Sequence, residues 1–127
     1  MLRHRAIVAA DDLVTVDGVP ALVMEYVEGH DLSTFAAANR REPGRLPLAW
    51  LAHVGLEVTT ALQAAWESLN PLTGQPLRAL HCDVKPKNIL GKDVAVAGAA
   101  SEAYLLDFGL AFHLHTGQRG ACQEFIG

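Results

Sequence analysis

A helical repeat of apolar residues between Leu48 and Leu69 restricts the possible folds of this chain more than any other feature. The apolar side chains recur every three or four positions, at Leu51, Val54, Val58, Leu62, Ala65 and Leu69. Polar side chains occupy another face, at His53, Glu57, Thr60 and Glu67. This period places side chains on one face of an α-helix. We therefore predict a long amphipathic helix that covers a hydrophobic core and ends at Asn70 and Pro71.

The segments around this helix predict short strands and one further helix. Residues 6–16 and 21–27 are rich in β-branched and large apolar residues, and Gly18 and Pro20 lie between them, which predicts a β-hairpin. A short helix is expected to begin near Asp31 or Ser33. The sequences NIL and AYLL predict two strands joined by an Ala- and Gly-rich surface turn. The expected fold class is α+β.

Composition limits the chain to one small domain and excludes several kinds of partner. Of its 127 residues half are apolar, the net charge is -4 and no basic run occurs, so we expect no nucleic acid or anionic membrane as partner. No apolar run approaches the roughly 18 residues of a membrane-spanning helix. Cys82 and Cys122 lack CxxC spacing, which suits a reducing compartment better than a disulfide framework. We expect a cytoplasmic location.

Two polar segments carry groups suited to phosphoryl transfer. HCDVKPKNIL, residues 81–90, contains Asp83, Lys85 and Asn88, and LLDFGLA, residues 105–111, contains Asp107. Phosphoryl transfer requires a carboxylate to orient the attacking hydroxyl, a cation for the transferred phosphate, and oxygen ligands for magnesium. These four side chains supply each of those groups, so they form the candidate active site.

The same segments resemble the protein kinase family. HCDVKPKN resembles its catalytic loop, DFG its magnesium-binding motif, and VMEYVEGHDL the hinge that holds adenine. HRAIV is similar to the segment entering the fourth strand, residues 48–69 to the long helix before the catalytic loop, and EFIG to the end of the activation segment. The resemblance implies a partial kinase domain, with residues 1–27 ending the small lobe and 28–127 beginning the large lobe.

The resemblance also implies a role for individual residues, with ATP and Mg²⁺ as cofactors and a protein as substrate. Asp83 would orient the substrate hydroxyl and accept its proton, and Lys85 would neutralise the γ-phosphate. Asn88 and Asp107 would ligate magnesium, and Lys85 followed by Pro86 indicates serine/threonine substrates. The nucleotide would be held by the gatekeeper Met24, the backbone of Glu25 and Val27, Asp31 near the ribose, and Leu90 beneath the adenine.

The chain departs from the family pattern in three ways. Cys82 stands where the family usually has an arginine, which implies a non-RD catalytic loop. No GxGxxG loop, strand lysine or helix glutamate precedes the hinge. Asp83 and Asp107 are 24 residues apart, so we expect an inserted surface loop between them. These departures suggest a fragment of a kinase domain with exposed apolar surface.

Two other functions remain as alternatives. The first is a catalytically inactive module that binds nucleotide or protein, which the lack of a strand lysine favours. The second is a small-molecule phosphotransferase, which shares the aspartate and asparagine arrangement. Lys85-Pro86 and the complete DFG motif argue against the second alternative.

Thr116 is the candidate phosphorylation site of the activation segment, because it is the only hydroxyl side chain of a serine or threonine after Asp107. Cys82 cannot pair with a phosphate there as an arginine would. We predict that Thr116→Ala leaves kinase activity unchanged, as measured by phosphate incorporation into a protein substrate. Loss of activity, together with phosphate on Thr116 in the parent protein, would contradict this prediction.

Overall fold

The computed structural model describes residues 3–44, 46–92, 102–106 and 108, and the backbone of residues 112–113. Two helices, α1 (Leu32–Arg41) and α2 (Leu48–Glu67), are accompanied by short strands and a 3-10 turn at Pro86–Asn88. The strands are β1 (Ala10–Val16), β2 (Val19–Met24), β3 (His30–Asp31), β4 (Ala79–Leu80), β5 (Ile89–Gly91), β6 (Ala103–Leu105) and β7 (Phe112–His113). The expected α+β class is confirmed.

The predicted β-hairpin is formed by β1 and β2, which pair antiparallel. Asp17 and Gly18 make the turn with φ angles of 51° and 81°, as a tight hairpin turn with positive φ at both central positions requires. Pro20 lies within β2 opposite Thr15, so its assignment to the turn is wrong. Proline fixes φ near -65° and therefore cannot occupy either central position.

Helix α1 begins where the sequence predicts, because Asp31 caps it. The Asp31 backbone is extended, at φ -71° and ψ 156°, and its Oδ1 accepts hydrogen bonds from the Ser33 and Thr34 N–H groups at 2.9 and 3.1 Å. These bonds satisfy two N–H groups that have no partner within the helix. The start of α1, at the edge of β3, is thereby fixed.

Helix α2 buries part of the predicted face, since Val54 and Ala65 are buried, but the buried face also includes Trp50, Glu57 and Ala61. The buried side chains are Trp50, Val54, Glu57, Ala61 and Ala65, whereas Leu51 and Leu69 are 41% and 62% exposed. Glu57, which the sequence assigned to the polar face, is only 3% exposed. Alanine side chains allow neighbouring backbone to approach closely, so the face that contains Ala61 and Ala65 meets the strands. The helix ends at Glu67, with Ser68 as its C-cap.

The hydrophobic core lies between α2 and a three-stranded sheet of order β3-β5-β6. Leu105 of β6 is fully buried, and Phe35, Trp50, Val54 and Ile89 pack in the same cluster. The N-terminal segment extends this sheet, because the Leu105 N–H donates to the Ala6 carbonyl at 2.8 Å and the Val8 N–H donates to the Leu105 carbonyl at 3.1 Å. β6 is therefore held on both edges.

The predicted insertion between β5 and β6 falls mainly on residues 93–101, outside the described residues. At its base Lys92 and Glu102 form a salt bridge, and the Lys92 N–H donates to the Glu102 carbonyl at 3.1 Å. The antiparallel ladder of β5 and β6 therefore continues one residue beyond the strands. The predicted strands NIL and AYLL are confirmed at Ile89–Gly91 and Ala103–Leu105.

Several large apolar side chains of the described residues are exposed, as expected. They include residues of the hairpin and of α2, namely Leu13, Val16, Val19, Leu22, Val23, Leu48 and Leu56. None of the helices in the described ranges is long and apolar enough to cross a membrane.

Gly29 and Gly55 differ in the space that the surrounding structure leaves for a side chain. A Cβ at Gly29 would lie 2.6 Å from the Gly91 backbone oxygen, whereas a Cβ at Gly55 in α2 would meet nothing within 4 Å. We predict that Gly29→Ala lowers the free energy of unfolding by about 1–3 kcal/mol through overpacking. Gly55→Ala, the control, should raise it by up to about 1 kcal/mol because alanine favours helix. Urea denaturation of the two variants measures both changes, and equal stabilities would contradict the close contact at Gly29.

Candidate active site

The loop at residues 81–85 is anchored by the buried imidazole of His81, which is 2% exposed. Its Nε2 lies 2.6 Å from the Leu106 carbonyl oxygen, and its Nδ1 accepts a hydrogen bond from the Asp83 N–H at 3.2 Å. Because Nδ1 is the acceptor, the tautomer that satisfies both contacts carries its proton on Nε2 and donates it to Leu106. One side chain thereby joins the start of the loop to the residue after β6.

An aromatic contact supports the same connection. The His81 and Phe108 rings meet edge to face, with centroids 4.7 Å apart, a favourable geometry for aromatic pairs. Phe108 also packs against the hydrophobic core cluster. Leu106 and Phe108, the two residues that flank Asp107, therefore both fix the loop to the core.

Cys82 adopts a left-handed backbone conformation, with φ of 63°, which is uncommon for a residue with a Cβ. This conformation turns the chain sharply between the buried His81 and the half-buried Asp83. Cys82 is part of a disulfide, in contrast to the sequence-based expectation. Cys122 lies outside the described residues.

Asp83, Lys85 and Asn88 come together as the sequence predicts. The Lys85 Nζ lies 2.7 Å from Asp83 Oδ2. The Asn88 Nδ2 donates to the same Oδ2 at 3.0 Å and to the Asp83 backbone carbonyl at 2.9 Å. The three side chains thus form one hydrogen-bonded cluster at the surface, with the Asp83 and Lys85 side chains 33% and 49% exposed.

The pKa of Asp83 is lowered from its ordinary value of 3.8, mainly by the hydrogen bond from Lys85. The hydrogen bond from Asn88 lowers it further, while partial desolvation opposes both effects. Asp83 is therefore a carboxylate at neutral pH, with its oxygens available as proton acceptors.

The backbone of Asn88 connects the cluster to the end of β6. The Asn88 N–H donates to the Lys85 carbonyl at 2.9 Å and closes the 3-10 turn, and the Leu106 N–H donates to the Asn88 carbonyl at 2.8 Å. Proline at the start of this turn matches the preference for Pro at the first helical position. Asp107 itself lies outside the described residues, but Leu106 and Phe108 on either side of it both contact residues 81–88.

The predicted nucleotide-binding residues of the hinge lie at the end of β2 and in the segment that follows it. Met24 ends β2 and is 40% exposed, and residues 25–28 belong to no helix or strand. The Glu25 N–H donates to the Ala9 carbonyl at 3.0 Å, and its Oε1 accepts from the Ala9 N–H at 3.1 Å. Glu25 is therefore fixed to the chain before β1, while Val27 is half-buried in the connecting segment.

Asp31 and Leu90 lie opposite each other in the β3–β5 pairing. Both oxygens of Asp31 accept hydrogen bonds from Ser33 or Thr34, and the bond from the Ser33 hydroxyl is the largest cause of its lowered pKa. Asp31 is thus a helix cap, a role that the sequence predicts as well as the one near a ribose. The hinge connection and the 81–90 segment converge at this pair.

Sequence reasoning missed the part played by Leu106. Its carbonyl and N–H contact His81 and Asn88 through the backbone alone, so its apolar side chain gives no signal of this function. The only available indication was that Leu106 ends the predicted strand AYLL and precedes Asp107. The predicted phosphorylation site Thr116 lies outside the described residues.

The arrangement places a carboxylate, an ammonium group and an amide beside one backbone junction. Within the described ranges no group of three His, Cys, Asp or Glu side chains could hold a metal ion. An Asn oxygen together with the carboxylate of Asp107 would form a different, all-oxygen ligand set, which is the type preferred by Mg²⁺. The geometry of the described residues is thus suited to orienting a hydroxyl and an anionic group near each other.

Comparison with known proteins identifies curated relatives, although no family model matches the chain. It is 32% identical over 110 residues to the tyrosine-protein kinase MasK of Myxococcus xanthus, covering 87% of this chain and 16% of MasK. It is 31% identical over 128 residues to the serine/threonine-protein kinase PkaB of Streptomyces coelicolor, covering 99% of this chain and 28% of PkaB. The serine/threonine-protein kinase PknF of Mycobacterium tuberculosis is 35% identical over 111 residues, which cover 87% of this chain and 20% of PknF.

These relatives are all named protein kinases, and the chain spans between 16% and 28% of their lengths. Their similarity covers between 87% and 99% of this chain. With the hydrogen-bonded cluster at residues 81–88, this similarity shows that the chain belongs to the protein kinase family, as a segment of a kinase domain.

Proposed function

We propose that this chain forms the central part of a serine/threonine protein kinase site, which transfers phosphate from ATP with Mg²⁺ to a protein hydroxyl. The observation that carries the proposal is the cluster of Asp83, Lys85 and Asn88, bonded through Asn88 to Leu106. Lys85 followed by Pro86 favours serine or threonine as acceptor, and two of the three relatives described above are named as serine/threonine kinases.

Asp83 is the proposed proton acceptor. Its lowered pKa keeps it ionised at neutral pH, and one third of its side chain is exposed to an incoming substrate. As the substrate oxygen attacks the γ-phosphorus, the bond from that phosphorus to the bridging oxygen of ADP breaks, and the hydroxyl proton passes to the Asp83 carboxylate. Holding the hydroxyl in line is the main contribution of this residue.

Lys85 is the proposed phosphate contact. Its ammonium group lies 2.7 Å from Asp83 Oδ2 and the side chain is 49% exposed, so it can contact an anionic ligand without leaving Asp83. A cation at this position neutralises charge on the transferred phosphate as the reaction proceeds. Pairing with Asp83 also orients the ammonium group in advance.

Asn88 and Asp107 are the proposed magnesium ligands. The Asn88 Nδ2 is used by Asp83, which orients the amide and leaves its Oδ1 as the oxygen donor. Magnesium bound there would supply charge neutralisation on the phosphates of ATP. Hydrogen bonding between Asn88 and Leu106 keeps the two ligand-bearing segments in register.

The hinge is the proposed nucleotide site. Glu25 and Val27 would bind adenine through backbone groups, beside Met24 and above Leu90, and Asp31 would lie near the ribose. The pairing of Asp31 with Leu90 supports this assignment because it brings the floor of the site to the start of α1. Cys82 in place of arginine supports a non-RD loop, and a protein substrate completes the proposal.

The first test replaces the proposed proton acceptor. Asp83→Asn keeps the size of the side chain and removes its basicity, so kcat should fall by about 10²–10⁴-fold while ATP binding persists. Asp17→Asn is the matched control, since it alters an exposed turn where asparagine is tolerated at positive φ. Unchanged kcat in Asp83→Asn would refute the assignment, and ATP binding without turnover in the parent protein would favour the inactive binding module.

The second test uses the lowered pKa of Asp83. Removing the ammonium group in Lys85→Ala should raise that pKa toward 3.8, because the hydrogen bond from Lys85 is its main cause. The carboxylate would then protonate at higher pH, so the acid limb of the pH–rate profile should move to higher pH. Carboxyl-carbon NMR titration of Asp83 measures the shift directly. Lys87→Ala is the control, because Lys87 has no ion pair among the described residues; an equal shift in both variants would contradict the pairing.

A further inference from the structure

Glu57 is a buried carboxylate that the proposed chemistry does not use. It lies in the middle of α2 and is 3% exposed, and Glu57 and His81 are the buried polar residues of the described part of the chain. The Arg5 Nη2 lies 2.6 Å from Glu57 Oε1, and the His53 Nε2 lies 3.5 Å from the same oxygen. Arg5 is 52 residues away along the chain, so this ion pair joins two distant segments.

The burial of the Glu57 carboxylate links the position of helix α2 to Arg5. A carboxylate removed from water is strongly destabilised unless a cation and hydrogen bonds compensate it. The Arg5 side chain remains 72% exposed while that of Glu57 is 4% exposed, so the guanidinium loses little hydration in forming the contact. The ion pair therefore favours the arrangement in which the segment that carries Arg5 lies against α2.

The residues after Arg5 transmit this attachment to the candidate active site. Ala6 and Val8 are both hydrogen-bonded to Leu105 of β6, and Ile7 forms a parallel bridge with it. The next residue, Leu106, contacts Asn88 and His81. A continuous series of backbone contacts thus leads from the Arg5–Glu57 pair to the candidate active site.

We propose that Arg5 and Glu57 form a positioning pair, which clamps residues 4–8 against α2 and thereby sets the place of Leu106 beside Asn88. Neither residue contacts the cluster of Asp83, Lys85 and Asn88, so both act through β6. The effect on catalysis rests on the proposed function, whereas the effect on the position of β6 does not.

The structural test measures amide hydrogen exchange by NMR in the whole protein as it is expressed. In Arg5→Met the unpaired Glu57 charge should loosen the attachment, and the Leu105 and Leu106 amides should exchange about tenfold faster through local opening. Adding Glu57→Gln to Arg5→Met removes the uncompensated charge and should restore part of the protection. Glu67→Gln is the control, because Glu67 is an exposed residue of the same helix that bonds only Gln63 among the described residues.

A general loss of stability would have a different signature from a loss of positioning. The Glu42 amide, which donates to Ala38 at the end of α1, should keep its exchange rate in Arg5→Met under the proposal. Equal acceleration at Glu42, Leu105 and Leu106, or no acceleration at all, would overturn it. Arg5→Lys keeps the positive charge and should retain most of the protection, so it provides the comparison if Arg5→Met does not fold.

Kinetics separate this proposal from the proposed function. In an active parent protein, Arg5→Met should lower kcat while Arg5→Lys restores it, and the KM for the protein substrate should stay unchanged because neither residue lies at the cluster that would meet the substrate. If the parent protein shows no kinase turnover but Arg5→Met still accelerates exchange at Leu105 and Leu106, the result would support the positioning pair and refute the proposed function. Full kcat in Arg5→Met would overturn the catalytic part of the proposal.

Discussion

The two hydrogen bonds made by the backbone of Leu106 hold the candidate site together. Its carbonyl accepts from His81 and its N–H donates to Asn88, so one peptide segment contacts both ends of the 81–88 loop. His81 fixes where the loop begins, and Asn88 fixes where the polar cluster ends. The surface cluster of Asp83, Lys85 and Asn88 therefore depends on the contacts of the Leu106 backbone. These contacts are made to the His81 ring and the Asn88 carbonyl, and not to the side chains of the cluster.

That junction is held in place because β6 is embedded in the core. Leu105 is fully buried, pairs with β5 on one edge and with residues 6–8 on the other, and packs in the same cluster as residues of α2. A rigid, buried strand followed at once by exposed polar groups is a common way to fix functional side chains precisely enough for chemistry. The β1–β2 hairpin, which carries several of the exposed apolar residues, forms a separate two-stranded sheet.

Sequence patterns and structure differ most clearly on α2. The apolar repeat correctly predicted a long helix with Val54 and Ala65 buried, but the buried face also includes Ala61 and Glu57 and leaves Leu51 and Leu69 exposed. A periodicity argument ranks residues by hydrophobicity, and so it excludes a glutamate from the core. The partner that makes burial of Glu57 possible is Arg5, which comes from another segment, and local pattern cannot reveal a pairing over such a separation.

The sequence by itself determined the two helices, the hairpin, a helix start at Asp31 or Ser33, and the polar residues of the candidate site, because each depends on local chemistry or on motif spacing. It also determined the family resemblance, through HCDVKPKN and DFG. Only the tertiary structure decided which face of α2 is buried, that Pro20 pairs within a strand, and that Leu106 joins His81 to Asn88. These features arise from contacts between segments far apart in the chain, where close packing and the need to compensate buried charge select the arrangement.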